Sequence, residues 1–204
     1  MGAREGILDM QSNSIMSLER FSELSGGRKV RDFVYYHARG YAAAGQYSLE
    51  FFRTQPTQKD FSGATGVEIG NLTTIGKFDE PFLLLGVGIW FQSLEADDPV
   101  KQTNTRDVYR SGAMELEINN QRVFEIAPLG AVGSPLYLTG FASTGTSGTA
   151  AMTENALPPF RFSLPIYCQE NITLRAQMNW TSLVTVDTAS RIGIFLIGQK
   201  FFKA

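Results

Sequence analysis

Two glutamates one residue apart, Glu115 and Glu117 in MELEIN, are the pair whose type and spacing come closest to chemistry. On a β-strand they share a face about 7 Å apart. A retaining glycosidase sets its two carboxyls about 5–5.5 Å apart, and β-sandwich glycosidases mount them on a strand. Alternating Glu is equally the usual solvent face of an amphipathic hairpin, and no aromatic accompanies this pair to stack on a sugar. Glu95, Asp97 and Asp98 offer oxygen donors of the kind Ca²⁺ takes, yet just before Pro99 they also read as N-cap and helix-dipole partners. A Ser/His/Asp triad would have to use the single histidine, His37, which lies in a tyrosine-rich stretch, and no G-x-S-x-G elbow occurs. The single cysteine, Cys168, makes no internal disulfide and no cysteine-based zinc site, and reads as a buried small residue. No phosphate-binding or dinucleotide-binding glycine loop is present; Gly145 and Gly148 sit in a Ser/Thr loop. Trp90 and Trp180 stand in apolar stretches as core or interface anchors. These residues predict no enzyme, no catalytic set, no cofactor and no small-molecule substrate.

The elements that must carry such side chains are strands. The apolar run Phe82–Phe91, broken only by Gly86 and Gly88, has half the length a membrane-spanning helix needs and reads as the central buried strand of a β-sandwich. The two glycines leave one face partly bare, where another backbone can lie close. Before it, FVYYHARGY and QYSLEFFR read as strands, and GVEIGNLTTIGKF as a short strand, a Gly-Asn turn and another short strand. After it, Asp97 or Asp98 with Pro99 starts one short helix that ends at Gly112, the only helix expected inside the main domain. MELEIN and RVFEIA then form a hairpin around Asn120-Gln121, with Met114, Leu116 and Ile118 facing the core. The stretch from Pro128 to Pro158 is rich in Gly, Ser, Thr, Ala and Pro, with at most one short strand around 136–141, and is expected to be an exposed or intersubunit surface. FRFSLPIY, NITLRAQMNW and RIGIFLIGQKFF close the chain as strands.

Residues 1–30 read as a separate arm, with the sandwich domain over 31–204. Ile15, Leu18, Phe21 and Leu24 recur at three-residue spacing, with Ser14 as N-cap and Gly26-Gly27 as a stop. That is a short amphipathic helix whose apolar face must lie on something: its own domain, or a neighbouring subunit. Arg28, Lys29 and Arg31 follow as a basic cluster, either a solvated face or contacts to a genome or an anionic membrane surface.

Composition narrows the class. The 204 residues suffice for one sizeable all-β domain, and no period of about 20–50 residues marks a solenoid. A net charge of −2 argues against a protein that coats nucleic acid. Hydrophobic residues at 43% against 19% charged leave a surface rich in neutral polar groups, as suits a protein that buries much of itself against copies. Met1–Met10 is polar without an apolar core, so no secretory signal is expected, and the N-x-T sites at Asn71, Asn171 and Asn179 are read as by-products of composition.

The rhythm of GNLTTIGKFDEPFLLLGVGIWF, then MELEINNQRVFEIAPLG, a Gly/Pro-rich loop, PPFRFSLPIYCQENITLRAQMNW and RIGIFLIGQKFF resembles the jelly-roll capsid proteins of tailless icosahedral bacteriophages, including those that enclose a membrane. The resemblance spans roughly residues 66–202. It implies a single jelly roll of about eight to ten strands. The implied role is a virion structural protein, made in the host cytoplasm and self-assembling through trimer or hexamer capsomers into an icosahedral shell. The arm would tie subunits together or touch an internal membrane, the genome or other virion proteins. A cement, spike or fibre-head protein of similar fold is the nearest alternative, and a carbohydrate-binding or carbohydrate-hydrolysing β-sandwich is the alternative from another class.

Overall fold

The computed structural model describes residues 6–54, 56, 68–92, 107–133, 138–142, 151–154, 158–186 and 188–202. The strands are β1 (Ile7–Asp9), β2 (Ser14–Met16), β3 (Lys29–Tyr41), β4 (Ser48–Phe51), β5 (Ile69–Gly70), β6 (Phe82–Gln92), β7 (Gly112–Ile118), β8 (Gln121–Pro128), β9 (Leu138–Ala142), β10 (Ala151–Glu154), β11 (Phe160–Cys168), β12 (Leu174–Trp180) and β13 (Ser190–Phe202). Helix α1 spans Leu18–Ser25, a helical turn α2 covers 107–111, and α3 spans Leu129–Val132.

The chain is an all-β sandwich. A seven-stranded sheet runs β2-β1-β11-β6-β13-β3-β5, a four-stranded sheet runs β4-β12-β7-β8, and β9 and β10 form a separate hairpin. Strand β6 lies at the middle of the wide sheet, where its continuous apolar run belongs, because a strand between two sheet neighbours and two packed faces exposes little. Its long partner β13 pairs with β6 on one side and β3 on the other. The glycines of β6 meet two different neighbours. A Cβ on Gly86 would lie 2.6 Å from the Phe160 carbonyl oxygen, while Gly88 is the seat of the Phe195 ring from β13.

Between the sheets the two alternating patterns interlock. Strand β7 buries Met114, Leu116 and Ile118, and β12 buries Leu174, Ala176, Met178 and Trp180. From the wide sheet, Leu84, Val87 and Ile89 of β6 and Ile192, Ile194 and Leu196 of β13 complete the same core. Each Leu, Ile, Val or Met side chain so removed from water contributes about 1.5–3 kcal/mol before entropy is counted. Trp180 satisfies its indole by donating from Nε1 to the Val108 carbonyl at 2.9 Å, and its ring meets Tyr41 edge-on.

Several expectations need correction. The β7–β8 turn is Asn119-Asn120, one residue earlier than expected. Both have positive φ (53° and 59°), the pairing a two-residue type I′ turn demands and that Asn tolerates. No second strand follows Asn71; only an isolated bridge joins Lys77 to Thr173. The Asn71 side chain imitates a strand instead, accepting from the Tyr36 N–H at Oδ1 and donating from Nδ2 to the Val34 carbonyl. The Gly/Ser-rich region holds two strands, β9 and β10, where one was expected, and α3 is a second helical element besides α2. The expected start of the inserted helix at Asp97–Pro99 lies outside the described residues.

The N-terminal region is drawn into the sheet from Ile7 on. Strand β1 pairs in parallel with β11 (Leu8 opposite Ile166), and β2 pairs with β1. Ile15 therefore lies in a strand, and the helix is capped by Ser17 rather than Ser14, with Ser17 Oγ accepting from the Arg20 N–H at 3.2 Å. Gly26 ends the helix and Gly27 follows with φ 75°. Helix α1 lies on the outer face of the wide sheet. Phe21 packs edge-on against Tyr167 and Phe201, each 5.6 Å away, in a small second core with Ile7, Met16 and Leu83.

Candidate functional site

Glu115 and Glu117 do share the outer face of the narrow sheet. Around them are Glu50, Arg53, Arg175 and Gln177, lining a depression of about 80 Å³ with no aromatic among its walls. Glu117 faces Arg175 at 3.8 Å, and both oxygens of Glu50 accept from Arg53 Nη1 at 2.6 and 2.7 Å. Gln177 donates to Ser48 Oγ and Asn179 Oδ1. Ligand pockets measure about 300–1,000 Å³ and are mostly apolar, so this shallow ion-paired face suits solvent better than a sugar.

His37 is buried between the sheets, as a packed histidine rather than a surface base. Its Nδ1 accepts the Phe52 N–H at 2.6 Å, which leaves the ring proton on Nε2, 3.8 Å from Glu68 Oε2. Phe52 has φ 64°, a conformation costly for a bulky residue, and the bond to His37 helps hold it there. Glu68 is itself held by Arg39 Nε at 2.5 Å and by the Thr54 hydroxyl. Burial pushes His37 down to about 4; Arg39 acts in the same direction, and Glu68 opposes both. The unfolded chain takes up this proton near pH 6.5 and the folded chain only near pH 4, so stability is full above 6.5 and falls as pH drops from 6.5 to 4. In His37→Gln, whose side-chain oxygen can still accept from Phe52, that part of the fall is expected to vanish. Urea melts at pH 7, 5.5 and 4.5 on both proteins check it.

A second polar cluster was missed in the sequence. Lys200 of β13 is buried, with Nζ 3.0 Å from both oxygens of Asp79, and its ammonium lies over the rings of Phe33, Tyr35 and Phe202. Tyr35 and Thr73 donate their hydroxyls to the same carboxylate. Burial pushes the Asp79 carboxyl up, but the bonds from Tyr35, Lys200 and Thr73 more than offset this and hold it below its ordinary value. Tyr35 is pushed up, by burial first and then by its bond to Asp79. The four groups satisfy one another and leave no open position for a reacting atom.

The remaining candidates are dispersed. Cys168 is fully buried and burial pushes its thiol up, away from a reactive thiolate. Trp180 is core, whereas Trp90 is half-buried on the outer face of the wide sheet, beside Gly193. Glu95, Asp97 and Asp98 lie outside the described residues, and among the described residues no three His, Cys, Asp or Glu side chains converge as metal ligands. No helix among the described residues is long and apolar enough to cross a membrane. Of the basic cluster, Lys29 and Arg31 are exposed, with Arg31 over the Phe202 ring, and Arg28 is half-buried beside α1.

The four arm residues divide in two. Phe21 and Leu24 pack on the chain's own sheet, while Ile15 and Leu18 are each 56% exposed. Phe21→Ala is accordingly expected to cost about 2–3 kcal/mol. Ile15→Ser and Leu18→Ser should leave the melting of the isolated chain within about 0.5 kcal/mol of the parent. Thermal melts of the three variants at low concentration check this. Val30, Val34, Ile75 and Ile126 add further exposed apolar side chains. No family model, no curated protein and no solved structure matches the chain.

Proposed function

We propose that this chain is a jelly-roll coat subunit whose work is to assemble with copies of itself into a virion shell. The observation that carries the reading is the strand order. Leaving aside the separate β9–β10 hairpin and the outlying strands β1, β2 and β5, eight strands remain, ordered β3-β13-β6-β11 in one sheet and β4-β12-β7-β8 in the other. Successive strands alternate between the sheets except at the β7–β8 hairpin, and this alternation supports the reading of two Greek keys wound into a jelly roll. That winding is shared by capsid, lectin and cupin domains, so it does not name a function by itself.

The side chains favour the shell. A lectin or hydrolase would present a lined groove at the carboxylates, and here Glu50 and Glu117 face Arg53 and Arg175 over a depression too small for a sugar ring. Exposed apolar groups stand instead on several elements: Ile15 on β2, Leu18 on α1, Val30 and Val34 on β3, Ile126 on β8. On a chain of low charge they stand on several elements, which suits contacts on more than one side, as tiling requires. Lys29 and Arg31 would supply the contact to a genome or an anionic membrane surface.

Electron microscopy of the concentrated, purified protein tests the reading. Rings or shells of regular diameter are expected. Small closed oligomers that never enlarge would shift the reading to a cement, spike or fibre-head protein, and saturable glycan binding by a monomer would overturn it.

A further inference from the structure

The two sheets are unequal, and the mismatch opens on one side. Beyond β11 the wide sheet continues through β1 and β2, whereas the narrow sheet ends at β8 among the described residues. Ile166, Leu8 and Ile15 stand side by side across β11, β1 and β2, from Ile166 buried in the core, through Leu8 half-buried against it, to Ile15 exposed at the edge. Between this overhang and β8 runs a groove of about 320 Å³, its apolar lining formed by Leu8, Met10, Val123, Phe162, Leu164 and Ile166. Gln121 and Arg122 of β8 line it as well. Further along the same strand Ile126 is 72% exposed, the most exposed large apolar side chain among the described residues. A groove and an apolar knob thus sit on one strand, about 10 Å apart at 3.3 Å per residue.

We infer that β8 and this groove form a two-fold interface with a second copy of the chain; the inference rests on the self-assembly proposed above. Charge selects the occupant. Arg122 and Glu125 are both exposed and opposite in sign, three residues apart, and now pair within the chain at 3.2 Å. Place a second β8 antiparallel alongside, with the two-fold axis between Val123 and Phe124. Arg122 then lies opposite Glu125 of the second copy, and Glu125 opposite its Arg122, so two ion pairs form by exchange. In the same register Ile126 lies opposite Gln121 of the second copy, which lines that copy's groove. Each copy offers the knob and receives it, as an isologous contact requires. The β7–β8 ladder is irregular at two places, between Met114 and Leu116 and between Leu116 and Glu117. Such bulges discourage indiscriminate strand addition, so side chains rather than a continuous ladder carry the contact.

Sedimentation equilibrium on the full chain tests this with Arg122→Glu, Glu125→Arg, the double exchange and Ile126→Asp. Each charge reversal alone places like charges opposite one another and is expected to weaken association about tenfold or more. The double exchange restores opposite signs and should return it to within about threefold of the parent. Ile126→Asp should weaken association without recovery. Thermal melts at low concentration keep the readout from being one of folding, since an exposed pair contributes about 0–1 kcal/mol to the chain itself. If the parent associates and all four variants associate equally well, this interface is wrong and the self-assembly reading stands. If the double exchange is as weak as the single reversals, the exchanged pairing is wrong. A parent monomeric at every concentration overturns both.

Discussion

Asp79→Ala is expected to lower the stability of the chain by about 3–5 kcal/mol, the cost of breaking a buried ion pair from one side. The reason is what remains. Lys200 would keep its charge among Phe33, Tyr35 and Phe202 without the carboxylate that pairs with it, and the Tyr35 and Thr73 hydroxyls would lose their acceptor. Removing both charges is expected to cost much less. Asp79→Leu with Lys200→Met should recover most of the loss, because two apolar side chains need no partners. Equilibrium unfolding in urea on the parent, the single and the double variant measures all three. The pH dependence has a definite sign. The folded Asp79 carboxyl is held below its ordinary value, so its contribution is whole above the unfolded value near 3.9 and is lost as pH falls below it. The His37 loss begins higher, below pH 6.5, so the two acid limbs separate along the pH axis.

Gly198→Ala is expected to cost about 3 kcal/mol, at the upper end for adding one methyl group to a packed interior. Gly198 sits where β13 slips register against β6, and a Cβ there would overlap the Leu83 carbonyl oxygen of the neighbouring strand. A backbone atom cannot swing aside as a side chain can, so the central pair of strands must part or the register must move. Gly130→Ala is the control. In α3 its added methyl group would meet nothing closer than the Tyr109 carbonyl at 4.0 Å, and it should be neutral or stabilising by up to about 1 kcal/mol. Melting both variants against the parent distinguishes a steric cause from a general sensitivity to lost glycine.

Periodicity made the long elements legible. Ten apolar or glycine positions in a row marked β6 as central, and period-two alternation placed Met114, Leu116 and Ile118 inward with Glu115 and Glu117 outward. Short pairings carried no such signal. Strands β1 and β2 have three residues each and exist because β11, far along the chain, offers an edge to Ile7–Asp9. The two-residue turn was displaced by one because Asn119 and Asn120 both tolerate positive φ, and only the strand register decides between them. The polar clusters were hidden for the same reason. Lys200 and Asp79 are 121 positions apart, and nothing local to either tells that β13 and the turn before β6 will enclose them together. The histidine was visible as a residue, while its bond to Phe52 and its distance from Glu68 belong to the fold alone.

As a coat subunit the chain would cover its exposed apolar groups with copies of itself. Light scattering on the purified protein, read as molar mass against concentration, tests it most directly. A mass that settles at two chains through the β8 contact, at three or six chains, or that climbs towards shell fragments as concentration rises, is the predicted result. A mass of one chain at every concentration would contradict it.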